Sequence, residues 1–148
     1  MNYMDEAIKE AYEGIKNKHG GPFGSVIVKD GKIIGRGHNK VLINKDPTCH
    51  GEVEAIKNAC QNLNTHDLTG AIIYTTAAPC PMCMGAILWA NIKKVFYGCR
   101  VNDTADIGFR DEEFYRIMAS PESVSEENER DKCLKLFEDY KKTNAVKY

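Results

Sequence analysis

Two short clusters hold the side chains best suited to chemistry. They are His50-Gly51-Glu52 and, thirty residues on, Pro79-Cys80-Pro81-Met82-Cys83. Imidazole and thiolate are good zinc ligands. His50, Cys80 and Cys83 supply three of them, which leaves the fourth tetrahedral position to water; structural sites close with four protein ligands. Cysteines at i and i+3 share a face in the first turn of a helix, and the positive end of that helix favours their thiolates. Glu52 is not counted as a ligand. Positions i and i+2 point to nearly opposite sides of a regular helix. His50 and Glu52 can therefore serve one site only at the helix mouth, where the chain is still turning. There zinc would bring the pKa of water toward ~7 and Glu52 would accept the proton. Two other chemistries share part of the pattern. A Cys-x-x-Cys pair is also a redox motif, which has no need of His-x-Glu upstream. It is equally half of a structural zinc site, which would recruit a fourth ligand from Cys49, His38 or Cys99.

The elements between the clusters must return the chain to the edge it left. Val53, Ile56, Ala59, Cys60 and Leu63 recur at helical spacing, and Gly70 precedes AIIYTT, a buried strand by composition. A helix of about 13 residues runs ~20 Å, and a strand of about six residues returns ~20 Å. His50 thus comes back beside Cys80. Upstream, Met4, Ala7, Ile8, Ala11, Tyr12 and Ile15 predict an amphipathic helix over 3–17, stopped by Gly20-Gly21-Pro22. Ser25–Lys29 and Lys32–Gly37 flank Asp30-Gly31, a two-residue hairpin signal.

Residues 39–49 and 99–110 read as loops. MGAILWA (84–90) reads as a helix buried all round, with Pro81 near its start. KKVFYG is a further strand, 112–118 a short helix, 120–131 an acidic solvated connection and 132–142 an amphipathic C-terminal helix. Cys60 and Cys133 fall on apolar helix faces and are assigned to the core. Cys49 is read as a buried neighbour of the cluster, and His19 and His66 as loop residues. A hairpin followed by strand–helix alternation predicts an α/β fold, three α/β/α layers around a mixed sheet of 4–5 strands.

The 148 residues suit one domain, 1–148. Hydrophobic residues at 43% and charged residues at 28% argue against wholesale disorder and a disulfide-stapled miniprotein. Net charge is -1, with 20 basic against 21 acidic residues, so the chain lacks the basic surplus of a general nucleic-acid or membrane binder. No signal-peptide core opens the sequence and no stretch reaches ~18 consecutive apolar residues. The expected location is the cytoplasm, where six cysteines are thiols or metal ligands.

Together the two clusters form the H-x-E and P-C-x-x-C signature of zinc deaminases. The chain resembles the cytidine deaminase superfamily, and within it the small bacterial guanine deaminases. The likeness covers residues 20–118. It is carried by GGPFGSVIVKDGKIIG (20–35), GHNKV (37–41), DPTCHGEVEAI (46–56), APCPMCMGAILWA (78–90), KKVFYG (93–98) and TADIGFRD (104–111). The resemblance implies zinc on His50, Cys80 and Cys83, with Glu52 shuttling protons to a ring nitrogen and the departing amine. It implies that Asn39 binds substrate and that Phe23 and Trp89 line a purine pocket. Asp111 would recognise the guanine ring or move its protons, and Tyr148 would help close the site. The implied reaction turns guanine into xanthine and ammonia. The implied assembly is a homodimer whose C-terminal segments can be exchanged, with no nucleic-acid or membrane partner.

Each substrate residue also has an ordinary reading. Phe23 and Trp89 suit the core, Asn39 a turn, Asp111 a helix cap and Tyr148 a frayed terminus. Three features depart from the family pattern. Gly51 stands where many relatives have Ala. Ala77-Ala78 precede Pro79 where relatives commonly carry Glu, which removes a hydrogen bond behind the zinc loop. Residues 119–131 lack the apolar strand that relatives place there, so the fifth strand is expected short or absent. The competing enzyme is a tRNA adenosine deaminase, which shares the motif but needs a basic surface; another amino-substituted base is a third substrate class. A zinc-stabilised scaffold without catalysis is the non-enzyme alternative, and the retention of Glu52 argues against it.

Overall fold

The computed structural model describes residues 1–148. Helix α1 spans Tyr3–Lys16, and its N-cap Asn2 accepts a hydrogen bond from the Asp5 N–H, which satisfies one of the free donors of the first turn. Strands β1 (Gly24–Lys29) and β2 (Lys32–His38) form the hairpin. Asp30 (φ 51°) and Gly31 (φ 75°) both lie in the left-handed region, as the turn matching a right-handed strand twist requires. Then follow α2 (Val41–Asn44), α3 (Gly51–Leu63), β3 (Ile72–Ala77), α4 (Pro81–Trp89), β4 (Lys94–Cys99), α5 (Val101–Asp106), α6 (Asp111–Met118), a 3-10 turn at Pro121–Ser123 and α7 (Arg130–Lys141).

The sheet runs β2-β1-β3-β4. β1 is antiparallel to both neighbours, whereas β3 and β4 are parallel, joined through α4 as a parallel pair must be. Alternation along the strands sends successive side chains to opposite faces. Ile27 and Ile73 pack with Ala55, Ala59 and Ile87 of α3 and α4 on one face; Val26 and Val28 meet Ala7 of α1 on the other. The result is a mixed four-stranded α/β/α sandwich, the expected fold class. The fifth strand is absent, because after β4 the chain turns into α5 and α6.

Several local expectations need correction. The stretches read as loops each contain a short helix, α2 in 39–49 and α5 in 99–110; neither is long enough to display an apolar period. α4 is not buried all round. Cys83 and Ile87 face the core, while Leu88 and Trp89 project outward, Trp89 being 67% exposed. Its all-apolar sequence hides which face is covered. Cys133 is exposed, because α7 packs no apolar face within the chain, whereas Cys60 packs against the core as expected.

Candidate active site

The two clusters meet at the ends of α3 and α4. His50 is the N-cap of α3, with extended backbone (φ -71°, ψ 159°). Cys80 is the N-cap of α4, also extended (φ -68°, ψ 169°), after β3 has ended at Ala77. That location, outside the carboxyl end of a strand, is where open α/β sheets bind ligands. The extended N-cap also resolves the i, i+2 constraint. His50 has not yet entered the helix, so its side chain escapes the regular 100° spacing that would set it against Glu52. The Cys83 N–H donates to Cys80 Sγ at 3.5 Å, so this thiol caps its own helix.

His50 Nδ1 lies 3.5 Å from Cys80 Sγ and 3.5 Å from Cys83 Sγ. The three ligand atoms lie within 4.8 Å of one another and form the one such group of acidic, His and Cys side chains in the structure. A tetrahedral zinc with ordinary Zn–N and Zn–S bonds has N···S edges of about 3.6 Å, so this donor set fits the ion. Cys49 is buried beside His50 but is not in the group, and neither are His38 and Cys99. A four-ligand closed site is therefore not formed here.

Electrostatics within the cluster follow from burial and proximity. The Cys83 thiol beside it holds the Cys80 thiol well below its usual range, and His50 acts the same way. The Cys80 sulfur in turn drives Cys83 upward, reinforced by burial. Cys80 also pulls His50 above its ordinary value. Glu52 is buried in the first turn of α3, and burial raises its carboxyl above the usual range. A buried carboxyl raised in this way is suited to proton transfer.

A cavity of about 510 Å³ opens above Glu52, His50 and Cys80. Phe23, Asn39 and Asp111 line it. Phe23 stands edge-on to Phe109, ring centroids 4.9 Å apart at 82°, a favourable aromatic geometry. Asn39 is buried; its Oδ1 accepts from the Val41 N–H at 3.0 Å. It therefore makes the turn and borders the cavity at once. Asp111 opens α6, and burial pushes its carboxyl above the ordinary range, with the charge on Cys80 acting the same way.

Trp89 and Tyr148 stand apart from that cavity in their own chain, where the resemblance implies that Trp89 lines it and Tyr148 helps close it. Nine helical residues carry α4 about 13 Å along its axis from its Cys80 end, so Trp89 lies at the far end. There it meets Tyr148, ring centroids 5.9 Å apart, on a separate shallow surface.

Sequence reasoning does not single out Phe109, Phe114 or Tyr115. Phe109 and Phe114 line the cavity. The Tyr115 hydroxyl donates to the Pro79 carbonyl, directly before Cys80. It braces the zinc loop from outside, where Ala77-Ala78 offer no polar side chain. Its spacing of i, i+4 from Asp111 is the signal that could have found it.

Comparison with known proteins agrees with this geometry. Residues 1–99 match the family model of the cytidine and deoxycytidylate deaminase zinc-binding region. The chain is 47% identical over 119 residues to the guanine deaminase of Bacillus subtilis, covering 80% of this chain and 76% of that one. The X-ray structure of the Bacillus subtilis guanine deaminase superposes with TM-score 0.94 over 100% of this chain and 99% of that one, at 40% identity. A tRNA-specific adenosine deaminase of Aquifex aeolicus is 43% identical over 95 residues, covering 64% of this chain and 62% of its own. A motif that could also have served redox chemistry or a closed structural site is thus embedded in a deaminase fold along its whole length. The chain belongs to the cytidine and deoxycytidylate deaminase zinc-binding family, and it is a zinc-dependent hydrolase.

Proposed function

We propose that the chain, as a single deaminase domain over 1–148, hydrolyses guanine to xanthine and ammonia. The observation that carries this reading is the cavity itself, with Glu52 at its base and Phe23, Asn39 and Asp111 on its walls. His50, Cys80 and Cys83 hold the zinc. Bound there, zinc lowers the pKa of water and so supplies a nucleophile at neutral pH. Glu52 accepts one proton as water attacks C2 of the base and passes it to the adjacent ring nitrogen; it then takes the remaining proton of the new C2 hydroxyl and gives it to the amine, which departs as ammonia as the C2 carbonyl forms. Asp111 in its ionised form accepts hydrogen bonds from the N1–C2 edge of guanine, which offers adjacent N–H donors. Asn39 holds the opposite edge, and Phe23 packs on the flat ring.

The same reading places the protein in purine metabolism in the cytoplasm, since thiolate ligands need a reducing compartment; no helix is long and apolar enough to cross a membrane. It includes a homodimer with exchanged C-terminal segments. Support for the exchange is that α7 leaves Leu136 and Phe137 exposed, and that Trp89 and Tyr148 pair far from their own cavity. Sedimentation should find a dimer that deletion of residues 119–148 turns into monomer; a monomeric full-length chain would remove the exchange.

The decisive assay is ammonia release from guanine by purified protein of measured zinc content, with adenine, cytosine, cytidine and a tRNA anticodon stem-loop in parallel. Guanine is expected to be the preferred substrate, with Cys83→Ala losing both metal and turnover. Preference for the stem-loop would transfer the assignment to tRNA adenosine deamination. Full zinc with no turnover across the panel would leave a scaffold.

A further inference from the structure

Three titratable side chains unused by this chemistry stand in line behind the cavity. Glu10 of α1 lies 3.0 Å from His38 at the end of β2, carboxylate Oε2 to Nδ1. His38 Nε2 lies 2.8 Å from His19 Nδ1, and the two rings stack at 13° with centroids 5.0 Å apart. A carboxylate only accepts, so His38 Nδ1 carries the hydrogen that bonds Glu10. One more proton lies between the imidazoles; either nitrogen can hold it and the line stays bonded. None of the three borders the cavity.

The line is built into the fold. His38 is buried, and a Cβ on Gly14 would sit 2.7 Å from its Cδ2. Glycine in a helix interior is unfavourable, and here it makes room for the imidazole. Both histidines of the line then reach the cavity wall through the backbone. His38 directly precedes Asn39, whose N–H donates to the Phe23 carbonyl at 2.9 Å. The His19 carbonyl accepts from the Leu42 N–H at 3.0 Å and the Ile43 N–H at 3.1 Å. Four-residue α2 buries none of its own side chains, so its hydrogen bonds fasten it: these two to His19, with Val41 N–H to Asn39 Oδ1 and Asn44 Nδ2 to Cys49 Sγ. After His19 comes Gly20, where an added Cβ would lie 2.0 Å from Asn39 Oδ1. The wall formed by Asn39 and α2 therefore rests on His19, and the ring of His19 rests on His38 and Glu10.

We propose that Glu10, His38 and His19 form a positioning network that sets Asn39 and α2 against the substrate ring, and so governs affinity for the base rather than proton transfer at Glu52. The proposal rests on the base-deaminase reading above. Its test uses the zinc-loaded full chain with His38→Ala, His38→Gln and His19→Ala, the last at a half-buried position less enclosed than buried His38. Zinc should stay at the parent level and kcat within about threefold, while KM for guanine rises roughly tenfold in both Ala variants. His38→Gln, whose amide has both a donor and an acceptor, should restore KM to within about threefold of the parent. Amide hydrogen exchange at Leu42 and Ile43 should quicken in the Ala variants and return toward the parent in His38→Gln, with no substrate present. Unchanged KM and exchange in His19→Ala would overturn the proposal. So would zinc content or kcat falling in step with KM, or Gln behaving like Ala. If the parent fails to deaminate guanine, the functional reading fails and amide exchange alone decides the network.

Discussion

Helices α1 and α7 carry the same kind of pattern, apolar residues at three- and four-residue spacing, yet they end in opposite environments. α1 lays Ala7 and Ala11 on the sheet. α7 buries nothing, and every residue from Met118 onward is exposed, Phe137 at 63%. Amphipathic spacing states that a face can be buried; it does not supply the surface that buries it. For α1 that surface is the β1–β3 pair. For α7 the chain offers none, since β4 is followed by helices instead of a fifth strand. The predicted site residues divide in a similar way: those around the His50–Cys80–Cys83 cluster and its cavity belong to the packed part, while Tyr148 lies with the outlying segment and Trp89 faces it.

The contrast can be sharpened by substitutions on each side of it. The largest effect belongs to the packed side. Glu52→Ala should keep its zinc and lose about 10²- to 10⁴-fold in kcat, measured as ammonia release against metal content; undiminished turnover would remove the shuttle. Next comes Ile73→Ala in the sheet core, fully buried, which should cost about 2–5 kcal/mol in denaturant unfolding.

Asp111→Asn should lower kcat/KM for guanine by roughly tenfold to a hundredfold, the worth of a charged hydrogen bond, with zinc unchanged. Because burial raises the Asp111 carboxyl, its ionised form is lost as pH falls through a value above the usual carboxylate range. The acid limb of the parent's kcat/KM should therefore lie above that range and shift in the variant. Equal loss of zinc would make Asp111 structural.

Tyr115→Phe deletes one hydroxyl and its bond to the Pro79 carbonyl. It should cost about 1 kcal/mol and speed zinc loss to a chelator; an unchanged rate would mean the loop needs no brace. Smallest of all, Leu136→Ala on α7 should stay within about 0.5 kcal/mol for the isolated chain. Measuring it at low and high protein concentration breaks the comparison if α7 is buried in an assembly, since a cost would then appear only at high concentration.

Sequence alone marked the candidate zinc ligands and the candidate proton carrier, and it determined the class of fold. Zinc chemistry restricts ligand types and number, and His50, Glu52, Cys80 and Cys83 stand close in sequence to helix starts that sequence also marks. The hairpin was equally legible, because Asp30-Gly31 has few other uses between two apolar runs. The wall of the cavity was not. Phe109, Phe114 and Tyr115 come from α6 and the connection before it, and their contacts with the cavity and the Pro79 carbonyl arise only when α6 has packed against the ends of β3 and α4. The short helices α2 and α5 carry too few residues to show a period. Trp89 and Cys133 were misplaced for a related reason: apolar character reports a tendency to be buried, and only the tertiary structure decides which surface is present to satisfy it.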